Sequence, residues 1–378
     1  MGLSLHISIV PLIMMVVSLQ VWLPLGCLEE ERAALLHLKD SLNYPNGTSL
    51  PSWRKGDARC CDWESITCNS STGRVIEIYF YSIRNGELGD WYLNASLFLP
   101  FQELNSLYLR DNQIAGWVEN KECPSNLETL SLSGNNITKV VTSGGPTTLS
   151  ALYLTFLNLK NLELLDMSYN TLNSSNIFQA IGTMTSLKTL RLLYCSLNGQ
   201  LPTSQGFLNL KNFEFLDMSE STLNSSNIFQ IIGTMTSLKS LRLSSCNLNG
   251  QLPTGLCDLN HLQELDIRSN DLSGFLPPCL ANLTSLQQLY LSSNHLKIPM
   301  SLSPLYNLSK LRYFYGFGNE IYAEEDDHNL SPKFQLESLS LSGHGQETYS
   351  SEDKLHIDIG KIELRAQAIK STTYHSNI

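Results

Sequence analysis

The stretch Leu104-Asn-Ser-Leu107-Tyr-Leu109-Arg-Asp-Asn112-Gln-Ile114 has the residue spacing that decides how this chain folds. Its form is Leu-x-x-Leu-x-Leu-x-x-Asn-x-Leu, in which apolar residues and one asparagine stand at fixed places. The same spacing returns in full from Leu262 to Leu272 and from Leu286 to Leu296. A unit that recurs at a fixed period predicts a stack of similar coils rather than one globular core.

Units of this type begin about every 25 residues along much of the chain. Their first apolar positions are Leu104, Leu127, Leu162, Leu187, Phe213, Leu238, Leu262, Leu286, Leu311 and Leu336. In four units the asparagine is replaced, by Cys195, Ser221, Cys246 and His344. The pattern is that of leucine-rich repeats, and it predicts an α/β solenoid, a horseshoe with short parallel strands on its inner wall. Because no coil buries its leucines alone, the coils must be stabilised by stacking.

Composition and charge narrow the possible functions. The 378 residues are 42% hydrophobic and 16% charged, and the formal net charge is -10 at pH 7. No stripe of lysine and arginine is available to neutralise phosphates, so we expect no nucleic-acid partner. The sequence has neither a Gly-x-x-x-x-Gly-Lys loop nor a His-Glu-x-x-His motif, and its histidines are scattered. We therefore expect a binding protein and not an enzyme, without a cofactor or a metal site.

The N-terminal segment has the character of a targeting sequence. Leu3 to Leu25 is almost wholly apolar, and Gly26 follows it just before Cys27. This pattern predicts a secretory signal peptide over residues 1–26, with a signal anchor as the alternative because the run approaches the length of a membrane span. No later run approaches about 18 apolar residues, so we expect no membrane span after signal removal. An extracellular or cell-surface location follows.

Residues 27–74 have the features of a small N-terminal cap. Glu29 to Leu42 predicts an amphipathic helix with leucines along one face. A short stretch rich in cysteine follows, with Cys60, Cys61, Trp63 and Cys68. Since an open solenoid end exposes its leucine core, a disulfide-stapled module here would protect that end.

This cap resembles the plant-type leucine-rich-repeat N-cap in its run Cys27-x-x-x-Glu-Arg-x-Ala-Leu-Leu-x-x-Lys39 and in Ser52-Trp53 and Cys60-Cys61-x-Trp63. The segments Leu197–Pro202, Leu248–Pro253 and Leu272–Pro277 resemble the Leu-x-Gly-x-Ile-Pro element of plant repeats. Together these features cover residues 27 to about 345. They are similar to the plant leucine-rich-repeat receptor-like proteins, which are cell-surface receptors without a kinase.

The resemblance implies a recognition ectodomain that binds an extracellular peptide, protein or glycan on its concave wall. It also implies signalling, in defence for example, through a membrane receptor kinase or co-receptor. Members of that family continue with more repeats, a C-terminal cap, a membrane span and a short tail, so the sequence resembles a C-terminally truncated form. Two alternatives are a secreted inhibitor of a cell-wall-degrading enzyme, similar to the polygalacturonase-inhibiting proteins, and a receptor fragment that does not signal.

The repeat region spans residues 75–345, with about ten to eleven repeats, and residues 346–378 form a tail without a repeat. Within the repeat region, Asn158–Thr203 aligns with Asn209–Thr254 and differs at 9 of 46 positions, which indicates duplication of a block of two repeats. The segment Leu149-Leu152-Leu154 either forms a degenerate repeat strand or belongs to an outward loop.

The cysteines outside and inside the cap have different predicted roles. For the cap we predict two disulfides, Cys27–Cys60 and Cys61–Cys68. At neighbouring turns of successive repeats a further bridge is geometrically possible, Cys257–Cys279, with two free thiols as the alternative. At the asparagine position a small buried thiol is tolerated, so we predict a structural role for Cys195 and Cys246. Cys123 has no evident partner.

Nine Asn-x-Ser/Thr sequons are candidate glycosylation sites in a secreted chain. They are Asn46, Asn69, Asn94, Asn136, Asn173, Asn224, Asn282, Asn307 and Asn329. None falls on a variable position of the predicted inner strands. The concave wall is therefore expected to be free of sugar.

Charged residues form columns on the predicted wall, because equivalent positions on stacked strands lie about 4.8 Å apart. One column has Asp166, Arg191, Asp217, Arg242 and Asp266, and another has Glu163, Lys188, Glu214, Lys239 and Gln263. The alternating signs predict a ladder of ion pairs within each column, which stabilises the fold only slightly. A polar docking strip for a charged ligand is the alternative.

The wall becomes aromatic in its last repeats. The candidate ligand-binding residues there are Tyr290, Arg312, Tyr313, Tyr315 and Phe317, and a smaller set earlier on the wall comprises Tyr108, Arg110 and Asp111. Exposed aromatic side chains and arginine dominate the energetics of binding interfaces. Packing of these rings across strands, or burial under further repeats, would be the structural alternatives.

Overall fold

The computed structural model describes residues 27–43, 48–84, 88–118, 125–137, 139–142, 145–147, 159–172, 181–197, 210, 212–223, 228–323 and 331–341. Its strands, in chain order, are β1 (Ile66–Cys68), β2 (Val75–Tyr81), β3 (Trp91–Asn94), β4 (Ser106–Arg110), β5 (Ile114–Val118), β6 (Thr129–Ser131), β7 (Lys139–Thr142), β8 (Gly145–Thr147), β9 (Leu164–Asp166), β10 (Thr189–Arg191), β11 (Phe215–Asp217), β12 (Ser240–Arg242), β13 (Asn249–Gln251), β14 (Glu264–Asp266), β15 (Asp271–Phe275), β16 (Gln288–Tyr290), β17 (His295–Pro299), β18 (Tyr313–Tyr315), β19 (Glu320–Tyr322) and β20 (Ser338–Ser340).

Most of these strands belong to one long sheet. Its order is β1-β2-β4-β6-β9-β10-β11-β12-β14-β16-β18-β20, and every pairing except β1 with β2 is parallel. The register sets equivalent leucines side by side, as in Leu241 beside Leu265 and Leu265 beside Leu289. This sheet is the parallel inner wall predicted from the repeats, and the leucine-rich-repeat solenoid is confirmed.

Two smaller sheets follow the wall strands, in the orders β3-β5-β7-β8 and β13-β15-β17-β19. The first ends in an antiparallel hairpin of β7 and β8. On the wall, β6 pairs directly with β9, Leu130 lying beside Leu165. For Leu149-Leu152-Leu154 the sequence left open a degenerate repeat strand or an outward loop, and that choice stays a prediction. Those three residues lie outside the described residues.

Short helical segments complete the coils and the cap. Helix α1 spans Glu29–Asn43 and helix α2 spans Ile228–Gly233. Single 3₁₀ turns occupy Cys60–Asp62, Ala95–Phe98, Thr254–Asp258, Pro278–Asn282 and Ser303–Leu305. The predicted amphipathic face of α1 is the one that packs on the core, since Leu35, Leu38 and Leu42 are fully buried.

Asparagine amides, most of them buried, join coils to their neighbours. Nδ2 of Asn294 donates to the carbonyls of Ile267 (3.0 Å) and Leu291 (2.9 Å), and its Oδ1 accepts from the backbone N–H of Leu272 (3.1 Å). The same bonding is made by Asn112, Asn135, Asn170, Asn270 and Asn319. These amides satisfy backbone groups that water cannot reach.

Where asparagine is replaced, a smaller group makes part of this bonding. The hydroxyl of Ser221 donates to the carbonyl of Leu192 (2.6 Å), and the thiol of Cys246 donates to the carbonyl of Met218 (3.0 Å). Burial raises the pKa of the Cys195 and Cys246 thiols to about 12. Since the thiolate is the reactive form of cysteine, both residues are inert parts of the core at neutral pH.

The cap closes the first coil with apolar rings and disulfides. Trp53 stacks on Trp63, with ring centroids 5.4 Å apart, and also contacts Phe80 of β2 at 5.6 Å. The predicted cap bridges Cys27–Cys60 and Cys61–Cys68 are both present. In the repeats, Cys257 is joined to Cys279 between successive 3₁₀ turns.

One prediction concerns the asparagine ladder, the stack formed by the asparagine side chains described above. Asn294→Ala should lower the free energy of unfolding by about 1–3 kcal/mol, because it leaves buried backbone groups without partners. The matched control is Asn249→Ala, since Asn249 is exposed on β13. Chemical denaturation of the two variants measures the difference, and equal loss in both would contradict the role of the ladder.

A second prediction concerns pH and the buried Glu31 of the cap. Its Oε2 accepts from the N–H of Val75 (3.1 Å), yet burial raises the pKa of this carboxyl above its ordinary value of 4.5. A raised folded-state pKa means that the stability contributed below pH 4.5 is lost as pH rises through the folded value. The free energy of unfolding of the natural chain, minus that of Glu31→Gln, should therefore be smaller at pH 7 than at pH 4. A stability difference that does not change with pH would contradict this.

Candidate ligand-binding wall

The concave face of the long sheet is the candidate site. Side chains alternate along each strand, so residues on either side of a buried leucine face the wall. The central column, read through the register, runs Tyr79, Tyr108, Ser131, Asp166, Arg191, Asp217, Arg242, Asp266, Tyr290, Tyr315 and Ser340. The wall therefore changes from aromatic to charged and back to aromatic along its length.

In the column after the first leucine, two separate ion pairs form instead of a continuous ladder. Nζ of Lys188 lies 2.7 Å from Oε1 of Glu163, and Nζ of Lys239 lies 2.8 Å from Oε1 of Glu214. The side chains are nearly half exposed, so water and salt screen these pairs. They are a solvated surface feature of the wall.

In the central column, the predicted ladder of aspartate and arginine was wrong. The guanidinium groups of Arg191 and Arg242 instead lie over the ring of Phe215, at 5.5 and 5.3 Å from its centroid. Asp166 and Asp217 accept from backbone N–H groups two residues further on, each at 3.0 Å. Each carboxylate therefore has a backbone partner, and the aromatic face attracts the cations.

Arg242 differs from Arg191 in its second partner. Its Nε and Nη2 donate to the two carboxylate oxygens of Glu264 on the next coil, at 2.9 and 3.2 Å. Arg268 in turn bonds Asp266 through Nε (2.9 Å) and Nη2 (2.7 Å). Two compact ion pairs therefore stand side by side in the middle of the wall.

The structure brings the late aromatic residues together on β16 and β18. Tyr290 stacks on Tyr315 with ring centroids 5.2 Å apart and an interplanar angle of 12°. The guanidinium of Arg268 covers Tyr290 at 4.9 Å, and burial raises the pKa of the Tyr290 hydroxyl. Phe317, which follows β18, remains 42% exposed. Their contact with a ligand stays a prediction.

Glu337 holds the other two members of this predicted set. The hydroxyl of Tyr313 donates to its Oε2 at 2.5 Å, and Arg312 makes an ion pair with its Oε1. This hydrogen bond raises the pKa of Tyr313. Arg312 and Tyr313 are therefore oriented by the residue that precedes β20.

The leucine spacing does not indicate a role for two exposed tyrosines. Tyr169 and Tyr194 stack with centroids 4.9 Å apart, and each is 50% exposed. Both precede the asparagine position, a column that periodicity in leucine does not single out. At the first coils, Tyr79 contacts Tyr108 at 5.3 Å, and Arg110 approaches the ring of Tyr81 at 6.0 Å.

A shallow depression of about 490 Å³ lies between Tyr194 and Tyr290. Its lining includes both central ion pairs, Arg242–Glu264 and Arg268–Asp266. Polar groups therefore converge at the middle of the wall, as they do in ligand sites.

The described sequons lie off the wall. Asn136, Asn282 and Asn307 are exposed, while Asn69 and Asn94 are half-buried. Nδ2 of Asn69 donates to Glu103 at 2.9 Å. The other four sequons, Asn46, Asn173, Asn224 and Asn329, lie outside the described residues. The described sequons would leave the wall open to a ligand if glycosylated.

Within the described ranges, no group of three or more histidine, cysteine, aspartate or glutamate side chains could hold a metal ion. No helix in that part of the chain is long and apolar enough to cross a membrane. The predicted signal segment lies outside these ranges. The wall is the feature of the described structure that presents converging polar and aromatic groups.

Comparison with known proteins agrees with this architecture. Residues 28–69 match the model of the leucine-rich-repeat N-terminal domain, and residues 126–152 and 236–296 match leucine-rich-repeat models. Receptor-like protein 9b of Arabidopsis thaliana is 32% identical over 58% of this chain and 20% of its own length. Receptor-like protein 14 of the same plant is 34% identical over 83% of this chain and 35% of its own length. The chain is a leucine-rich-repeat protein related to the plant receptor-like proteins.

This leucine-rich-repeat protein thus spans 20% and 35% of the lengths of those two relatives. Among solved structures it is similar to the ectodomain of the Arabidopsis receptor kinase HAESA in complex with an extended IDA peptide hormone. The TM-score is 0.65 at 25% identity, over 84% of this chain and 50% of that one. These relatives are receptor-like proteins and the ectodomain of a receptor kinase.

The contact between Tyr313 and Glu337 gives a test of the wall geometry. Glu337→Gln should lower the pKa of Tyr313 toward its ordinary value of 10.0, because the charged hydrogen-bond acceptor is gone. NMR titration of the tyrosine ring carbons measures this change. Glu320→Gln is the control, since Glu320 pairs with Lys297 in another sheet. An unchanged Tyr313 titration in Glu337→Gln would contradict the geometry.

Proposed function

We propose that this chain is the extracellular recognition part of a plant receptor-like protein. It binds a peptide, protein or glycan on the concave wall and acts through a membrane receptor kinase or co-receptor. The observation that carries the proposal is the wall itself, where aromatic and charged side chains of stacked coils converge while the described sequons lie elsewhere. Rigid strands hold these side chains in place, which lowers the ordering cost of binding.

The comparisons support this proposal in two ways. The curated relatives are receptor-like proteins of plants, which favours a receptor over the enzyme-inhibitor alternative. The similar HAESA ectodomain carries a peptide hormone, so an ectodomain of this architecture can bind an extracellular ligand. Recognition outside the cell also fits the predicted signal peptide and the cap disulfides, which persist in oxidising compartments.

Signalling in this proposal requires a partner. The ligand would act by raising the affinity of the partner kinase for the liganded ectodomain, which is a coupling free energy between two binding events. The late aromatic residues Tyr290, Tyr313 and Tyr315, with Arg312 and Phe317, are the proposed ligand contacts. Their exposed rings and guanidinium match the residue types that dominate binding energy.

The test is hydrogen exchange on the whole secreted chain, with and without plant apoplastic fluid. The fluid should slow hydrogen exchange at Gln288–Tyr290 and Tyr313–Tyr315. In Tyr315→Ala, the same protection should require a concentration of fluid at least tenfold higher. Phe275→Ala is the matched control, because Phe275 is a 60% exposed ring on β15, outside the wall. Protection that survives Tyr315→Ala, or that appears on β15 instead, would contradict the proposal.

A further inference from the structure

The residue before each ladder position stands in the left-handed backbone conformation. The column runs Asp111, Gly134, Tyr169, Tyr194, Glu220, Ser245, Ser269, Ser293 and Gly318, with φ between 52° and 72°. Glycine adopts this conformation freely, and short polar residues adopt it more readily than bulky ones. Two tyrosines are therefore unexpected in this column.

The block duplication supplies a natural comparison for them. Tyr194 corresponds to Ser245 in the second copy, and their φ values are 52° and 55°. The turn thus forms equally well with serine. Because each ring is half exposed, it also contributes little to the core. The backbone of this turn gives no reason for an aromatic ring at Tyr194.

The position of Tyr194 provides another reason. One face of its ring is stacked on Tyr169, while the side chain also lines the depression. Since Tyr169 belongs to the preceding coil, the second face of the ring is on the side of the next coil, where Glu220 has the equivalent position. By this stacking, Tyr169 fixes the orientation of the Tyr194 ring at the edge of the depression.

The chemistry of the depression limits what can occupy it. Arg242 and Arg268 are neutralised by Glu264 and Asp266. Asp217 and Glu220 also line it, and neither has a cationic partner within ion-pair distance in the described structure. A polyanion would therefore meet surplus negative charge and be repelled.

The depression also lacks an apolar pocket for a hydrophobic peptide anchor. Serine hydroxyls, the Gln288 amide, carboxylates and guanidinium groups make up most of its lining. Together these groups can both donate hydrogen bonds to the hydroxyls of a ligand and accept hydrogen bonds from them. The C–H face of a sugar ring packs on an aromatic face because that face is electron-rich.

We propose that the depression binds a neutral oligosaccharide, one sugar ring of which packs on the open face of Tyr194. The proposal rests on the proposed function, because it names the ligand class for the same wall. From β10 to β16 the depression crosses four strand spacings, roughly 19 Å, which suits about four sugar rings. Tyr169 is a positioning residue, and Asp217, Glu220 and the two ion pairs bond the hydroxyls.

The test is calorimetric titration of the whole chain with cellotetraose, mannotetraose, tetra-N-acetylchitotetraose and tetragalacturonic acid. At least one neutral tetrasaccharide should bind, and the acidic one should not. Tyr194→Ser, which copies the residue found at Ser245, should weaken that binding at least tenfold while lowering Tm by no more than about 5 °C, the amount that one lost ring stack explains. Tyr194→Trp should retain binding, because it restores an aromatic face.

Tyr81→Ser is the matched control, since Tyr81 is a 56% exposed wall tyrosine far from the depression. It should leave sugar affinity unchanged. The proposal is overturned if no neutral tetrasaccharide binds at millimolar concentration, if the acidic one binds more tightly, or if Tyr194→Ser binds normally. A fall in Tm of more than about 5 °C for Tyr194→Ser would show a structural ring and also overturn it. If no sugar binds but Tyr315→Ala still abolishes protection by apoplastic fluid, the oligosaccharide is wrong and the proposed function stands.

Discussion

The bonding of each buried asparagine to its own coil and to the preceding one is the constraint on which this structure depends. Asn294 shows the arrangement, because its amide donates back to the carbonyl of Ile267 and accepts from the N–H of Leu272. No coil can satisfy these groups alone, so each coil fixes the position of its neighbour. The regular wall, with its columns of side chains, follows from that coupling.

Most of this architecture could be predicted from the sequence because it depends on spacing. Leucine and asparagine at fixed intervals identify the buried positions, and the strand register follows from stacking equivalent residues, such as Leu241 beside Leu265. The cap could be predicted as well, since its cysteines and its resemblance to a known N-cap indicate a stapled module. Its disulfides connect Cys27 to Cys60 and Cys61 to Cys68.

The contacts of the wall were harder to predict, because they depend on choices between competing partners. Arg191 could pair with Asp166 or Asp217, yet its guanidinium lies over the ring of Phe215, while each carboxylate accepts from a backbone N–H. The stacking of Tyr169 on Tyr194 depends on the left-handed turn that precedes the ladder position. Neither outcome is encoded in leucine spacing, and both became visible only with the positions of side-chain atoms.

The duplicated block shows how the fold and the binding surface are separated. Leu165 and Leu216 have equivalent positions in the two copies, and both are leucines buried in the core. On the wall, Leu164 is replaced by Phe215, and at the turn Tyr194 is replaced by Ser245. A solenoid can therefore acquire new wall chemistry without repacking, because exposed positions lie outside the asparagine ladder.

A glycan placed on the wall tests the central claim that this surface binds the ligand. Ser244→Asn combined with Cys246→Ser creates a sequon at the depression, and Cys246→Ser alone is its control. Serine is accommodated at that ladder position, as Ser221 shows. The double variant should be secreted, glycosylated at position 244 and folded, but should lose the protection of β16 and β18 by apoplastic fluid that the single variant retains. Undiminished protection in the glycosylated double variant would contradict a binding site on the concave wall.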